Sequence, residues 1–159
     1  MTIRIAVQPK SNAQRLSPDS SLAYAAGMFD GDGCIHIARQ KKLSARRGHI
    51  YRLVMNLAQN HLNTLIDFQN LVGVGGRIYM QKRTGSQNKD TFSLIYSGNA
   101  AADVIRRLQP FLLRKQDEAK VALEFQDDCE ISRHFGPAGC PDELWERRKT
   151  LYQKLRDLK

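Results

Sequence analysis

Long apolar runs are missing from this chain: no stretch approaches the roughly 20 residues of a membrane-spanning helix, so a membrane partner is not expected. Cysteine is scarce. The three present, Cys34, Cys129 and Cys140, are odd in number and irregularly spaced. They supply no disulfide scaffold and point to a reducing, intracellular setting, cytoplasmic or organellar rather than secreted. Cys129, His134 and Cys140 lie near one another but match no common zinc spacing. The GVGG run at 73–76 lacks the Gly-Lys-Ser/Thr that would make it a phosphate-binding loop. No internal repeat and no long low-complexity segment is visible. Acidic residues are the minority: 16 Asp and Glu face 25 Lys and Arg, for a net charge of +9. That balance favours a polyanionic partner over a small-molecule substrate. The 159 residues suffice for one domain with a real core.

What is present is organised around residues 20–33, SSLAYAAGMFDGDG. Asp19, Ser20 and Ser21 can cap a helix. On a wheel of 3.6 residues per turn, Ala23, Ala26, Gly27 and Asp30 share one nearly bare face. Leu22, Tyr24, Ala25, Met28 and Phe29 read as the core face. A bare face admits another backbone at close range, and a copy of the same helix is the natural partner. Gly31 and Gly33 are expected to end the helix with positive φ, projecting Asp32 from its tip. Two such helices side by side bring two Asp32 carboxylates together, and like charges at short range call for a cation between them. Oxygen donors of this kind, with the Gly31 carbonyl assisting, suit Mg²⁺. Asp30 is expected to hydrogen-bond backbone near the helix end. Read alone, DGDG is equally a tight solvated turn.

In chain order, residues 1–19 read as a flexible basic arm and 20–159 as the folded domain. The arm's composition also suits a transit peptide, weakly, or a strip lying along a phosphate backbone. Alternating patterns at 34–40, 50–58, 77–82 and 91–97 predict four strands in two hairpins. Helices are predicted at 61–72, 100–108 with Asn99 or Ser97 as cap, after Pro110 through 125, and at 142–158. The fold class expected is α+β: a mixed αββαββα core with a four-stranded antiparallel sheet backed by helices.

Ile, Leu, Met and Phe dominate one side of these strands. The other side carries Cys34, His36, Gln40, Arg52, Asn56, Arg77, Tyr79, Gln81, Thr91 and Ser93. Arg reads guanine, Gln and Asn read adenine, and a two-stranded ribbon fits the major groove. Lys41, Lys42, Arg46, Arg47, Lys82 and Arg83 sit in the loops beside them, placed to meet phosphates. An antiparallel sheet with one merely solvated face has the same pattern. The small-faced helix tips the reading toward double-stranded DNA.

Residues 25–33, AAGMFDGDG, resemble the LAGLIDADG signature of homing endonucleases. The match holds at Ala26, Gly27, Asp30, Asp32 and Gly33, and departs at Ala25, where the family usually has Leu. Residues 108–116, LQPFLLRKQ, are similar to a second family segment. One motif copy implies a homodimer with the motif helices at its interface. The resemblance implies site-specific double-strand cleavage of a long, roughly palindromic target by metal-dependent phosphodiester hydrolysis, in an intron-encoded protein. It implies on the order of two or three divalent ions per dimer, Mn²⁺ being able to substitute for Mg²⁺. It places Asp32 as metal ligand, Gln59 as the residue ordering the attacking water and Lys115 as a stabiliser of phosphate charge. The basic residue the family often has shortly after that Gln is absent from 60–63, where His61 is the nearest substitute. Two other readings compete: a non-cleaving nucleic-acid-binding module of the same fold, such as an RNA maturase or transcription regulator, and a basic structural protein without a site.

Overall fold

A computed structural model of the chain describes residues 2–5, 17–81, 90–131, 135 and 140–159. Helix α1 spans Pro18–Asp32. Its cap is Ser17, whose Oγ accepts from the Ser20 N–H at 3.2 Å, and Pro18 occupies the first turn, where its missing donor costs nothing. The cap thus falls just before the expected Asp19–Ser21. The chain leaves α1 with Gly33 in extended conformation, φ −81°, not the left-handed one expected. Glycine is required there for another reason: a Cβ on Gly33 would run into the Phe29 ring and lie 2.6 Å from the Phe29 carbonyl oxygen.

Strands β1 (Thr2–Ile5), β2 (Gly33–Lys41), β3 (His49–Gln59), β4 (Arg77–Gln81) and β5 (Thr91–Ser97) form one sheet in the order β1-β4-β5-β3-β2, all neighbours antiparallel. The four expected strands are its inner set and one edge. The fifth is a correction: Thr2–Ile5, within the segment read as a flexible arm, pairs with β4 in the register Ile3↔Met80. Pairing gives those backbone groups partners that a free arm would find only in water.

Helices α2 (Leu62–Val72), α3 (Asn99–Leu108), α4 (Gln116–Ile131) and α5 (Asp142–Asp157) join α1 over one face of the sheet. The core between the layers holds Phe29, Phe68, Phe125, Ile35, Leu53, Met55, Leu57, Leu65, Ile78, Leu94 and Ile105, all fully buried. Strand alternation therefore sorts the two faces as period-2 geometry requires. Helix α2 stops at Gly73, φ 65°, the left-handed position that favours glycine. Helix α3 is capped by Gly98, which has no side chain to bond, rather than by the expected Asn99 or Ser97; Asn99 is the first helical residue, and its Oδ1 accepts from Gln126 Nε2 at 2.8 Å. Leu151 and Leu155 of α5 are buried, whereas Leu158 at its end is exposed. Among the described residues no helix is long and apolar enough to cross a membrane.

Candidate nucleic-acid interface and acidic centre

The two acids of DGDG do different jobs. Asp30 turns into its own chain. Its Oδ2 accepts the backbone N–H groups of Leu113 at 2.7 Å and Arg114 at 3.1 Å, and its Oδ1 accepts that of Lys115 at 3.1 Å. In return the Lys115 Nζ donates to the Asp30 carbonyl at 2.6 Å. The end of α1 and the start of α4 are thus clasped from both sides. Asp32, two residues on, is exposed, and its Oδ2 accepts from Gln59 Nε2 at 2.6 Å. The helix end and the end of β3 therefore bring together two of the residues singled out in the sequence.

This geometry corrects three expectations. Asp30 is not on a free helix face, since its carboxylate is committed to 113–115. Ala26 is fully buried in its own core, so it too is unavailable to a second copy. Lys115 is buried, with its ammonium on the Asp30 carbonyl and 6.0 Å from the Phe29 ring centroid. It braces the helix end rather than standing open to a phosphate. The exposed stripe of α1 is Ser20, Ala23, Tyr24, Gly27 and Gly31, and a Cβ added to Gly27 or Gly31 would meet nothing within 4 Å. Ala23 and Gly27 belong to that stripe as expected. Tyr24, read as a core residue, is 60% exposed. The free face is rotated about the axis because Ser21, Ala25, Ala26 and Phe29 pack inward.

Opposite the helices, the sheet presents one continuous polar surface. Cys34 lies beside Asn56, Ala38 beside Arg52, Tyr79 beside Ser93, and Gln81 beside Thr91. Residues paired in antiparallel register project to the same side, so these eight positions, with His36, Gln40 and Arg77, form one face. Gln40, Arg52, Arg77 and Gln81 are exposed, and the others are half-buried. The register adds residues the sequence reading missed: Val54 opposite Ser97 and Ile95 opposite Asn56. Their signal was alternation itself, passed over because the side chains are apolar or small. Such groups suit contact with a thymine methyl. A groove of ≈ 670 Å³ runs across this face, lined by His36, Gln40, Arg52, Arg77, Tyr79 and Ile95 among others.

Two details modify the face. Burial, aided by the nearby Lys159 charge, holds the His36 imidazole below its ordinary pKa. Lys159 Nζ lies 3.0 Å from the Cys34 Sγ, so the last residue reaches this edge of the sheet. In the β2–β3 loop, Lys41, Lys42 and Arg46 are exposed, as phosphate contacts require. Arg47 is a correction: it pairs with Asp142, donates to the Cys140 carbonyl at 3.2 Å and covers the Trp145 ring at 4.7 Å. Its charge is spent fastening the loop to α5. Lys82 and Arg83 lie outside the described residues.

Among the described residues no three His, Cys, Asp or Glu side chains cluster to hold a metal. One chain offers an exposed carboxylate at the helix tip and carbonyl oxygens beside it. Hard oxygen donors fit Mg²⁺, which takes one or two carboxylates and completes its shell with water and phosphate.

Solved structures share this fold. I-CvuI, a homing endonuclease in complex with its target in the presence of Ca, aligns with a TM-score of 0.70 and 19% identity over 89% of this chain and 83% of that one. It is also known with Mg and uncleaved DNA. I-Vdi141I, an archaeal intron-encoded homing endonuclease complexed with DNA, aligns at 0.72 and 17% identity over 90% and 86%. The meganuclease I-SmaMI bound to uncleavable DNA aligns at 0.64 and 15% identity over 83% of this chain but 43% of its own. No curated protein matches the chain in sequence. The LAGLIDADG endonuclease family, by contrast, matches it across residues 25–130, from within the motif helix through strands β2 to β5 and most of α4, and the chain belongs to that family.

Proposed function

We propose that the protein is a homodimeric, Mg²⁺-dependent endonuclease that makes site-specific double-strand breaks in DNA. The observation that carries this reading is the exposed Asp32 carboxylate at the tip of α1, hydrogen-bonded to Gln59 at 2.6 Å beside a polar sheet face. A module that only binds DNA has no use for a free carboxylate aimed where phosphates pass. The dimer follows from the single motif and from the bare stripe around Ala23 and Gly27. It agrees with this chain spanning under half of I-SmaMI. Two-fold symmetry then implies a roughly palindromic target of about 20 bp.

Within that assembly, the sheet faces of the two copies read the half-sites. Asp32 of each copy, helped by the Gly31 carbonyl, would hold the divalent ions. When bound, these supply Lewis-acid stabilisation of the attacking and leaving oxygens. Gln59 orients the attacking water and holds Asp32 in place. Lys115 steadies the helix end that carries Asp32, through its bond to the Asp30 carbonyl. Free cysteines agree with a reducing, intracellular place of work.

The test is cleavage of a randomised duplex library in Mg²⁺, with the cut ends sequenced. Specific double-strand cuts are expected. Asp32→Asn should abolish them while duplex binding in Ca²⁺ persists. Undiminished cutting by Asp32→Asn, or retention of DNA by the natural chain without cuts, would overturn the nuclease reading; the latter would leave the non-cleaving module.

A further inference from the structure

A second concavity, ≈ 780 Å³, opens where the sheet ends against α4 and α5. Lys42, Arg52, Arg77 and Arg148 all line it, along with Gln126 and Trp145, and no Asp or Glu is among its described lining residues. Lys42, Arg52 and Arg77 are exposed at its rim. Arg148 is buried on α5 and donates to the Asp128 carbonyl at 2.7 Å, which fixes its guanidinium. Trp145 and Arg148 lie beyond the residues matched by the family.

Four cationic side chains without a lining carboxylate make a site for an anion, and guanidinium groups match phosphate oxygens. The pocket shares Arg52, Arg77 and Ser97 with the groove along the outward sheet face. A backbone leaving that face would therefore pass directly into it. From Gln59 back to Arg52 is seven residues along β3, about 23 Å at about 3.3 Å per residue. Along a DNA strand that separation is about seven nucleotides at about 3.4 Å each.

We propose that this pocket binds a backbone phosphate of duplex DNA at the outer end of each half-site, with Lys42, Arg52 and Arg77 as rim donors and Arg148 behind them. The proposal rests on the DNA-binding reading above and extends the contact surface onto α5. It does not depend on cleavage.

Trp145 is the chain's single tryptophan, so selectively excited tryptophan emission reports on the surroundings of this pocket. The full-length protein is titrated in Ca²⁺ with its target duplex, following Trp145 emission and, separately, the anisotropy of labelled DNA. Emission should change in step with anisotropy. A neutral methylphosphonate about seven nucleotides from the cut should abolish the emission change and weaken binding about tenfold. Arg77→Gln and Lys42→Gln, both at exposed positions, should each lower the salt slope by about one. Binding by anisotropy with silent Trp145 and no sensitivity to that phosphate overturns the pocket alone. Absence of duplex binding overturns the DNA reading and the pocket with it. Saturation of the Trp145 signal by a free mononucleotide, with the duplex silent, would reassign the site to a nucleotide.

Discussion

Replacing Asp30 with Ala probes the clasp between α1 and α4. The substitution removes an acceptor for three backbone N–H groups, at 2.7, 3.1 and 3.1 Å, while the Lys115 ammonium keeps its bond to the main-chain carbonyl of residue 30. Hydrogen bonds to a charged group are worth about 1.5–3 kcal/mol. The N–H groups of the exposed Leu113 and Arg114 can turn to water, so only that of Lys115 carries the full loss. The expected cost is about 2–4 kcal/mol. For a chain of this length that lowers Tm by about 5–15 °C. Asp30→Asn keeps the shape but not the charge and should fall roughly midway. Thermal melts by circular dichroism measure both. Hydrogen exchange should show the amides of 113–115 losing protection before the rest of the fold. Because Asp32 rides on the same helix end, kcat should fall with duplex affinity nearly unchanged. A Tm for Asp30→Ala within 2 °C of the natural chain, roughly the shift expected from one kcal/mol or less, would refute the clasp.

Other substitutions separate intrachain from interchain packing. A Cβ at Gly27 meets nothing within 4 Å, so the monomer fold should tolerate Gly27→Leu while sedimentation shows the dimer lost; an intact dimer would contradict the bare-stripe interface. Gly33→Ala should destabilise by about 1–3 kcal/mol, because the added methyl must displace Phe29; an unchanged urea midpoint would show that the ring is free to move. For His36 the folded pKa lies below its ordinary value of about 6.5. The unfolded chain therefore takes up a proton that the folded chain resists. Stability should be full above about pH 6.5 and decline as pH falls from there toward the folded pKa. His36→Gln should flatten the urea midpoint across that window, and a midpoint that rises on acidification would refute the sign.

Much of this was legible because it is local. Period-2 alternation puts Ile35, Ile37, Leu53, Met55, Leu57 and Leu94 on the core side of their strands, and all are buried. The polar start at Asp19, Ser20 and Ser21 and the glycines bounded the motif helix to within a few residues. Asp30 was legible as a backbone binder, but not its partner: the amides it holds lie more than eighty residues away. Arg47 looked like its neighbours Lys41, Lys42 and Arg46. Only the approach of Asp142, Cys140 and Trp145 from α5 singles it out. Strand β1 was invisible because an edge strand of four residues leaves almost no pattern.

The amino-acid order alone determined the element sequence from α1 onward, the two-sided character of the strands, the basic charge and the acid at the helix tip, all properties of neighbours along the chain. Tertiary structure alone decided which side of α1 stays bare, that Ala26 and Asp30 turn inward, that Lys115 is buried and that Gln59 meets Asp32. A helix wheel gives angles between side chains but not their origin. That origin is set by whichever distant segments bury the most apolar surface and satisfy the most polar groups when they pack.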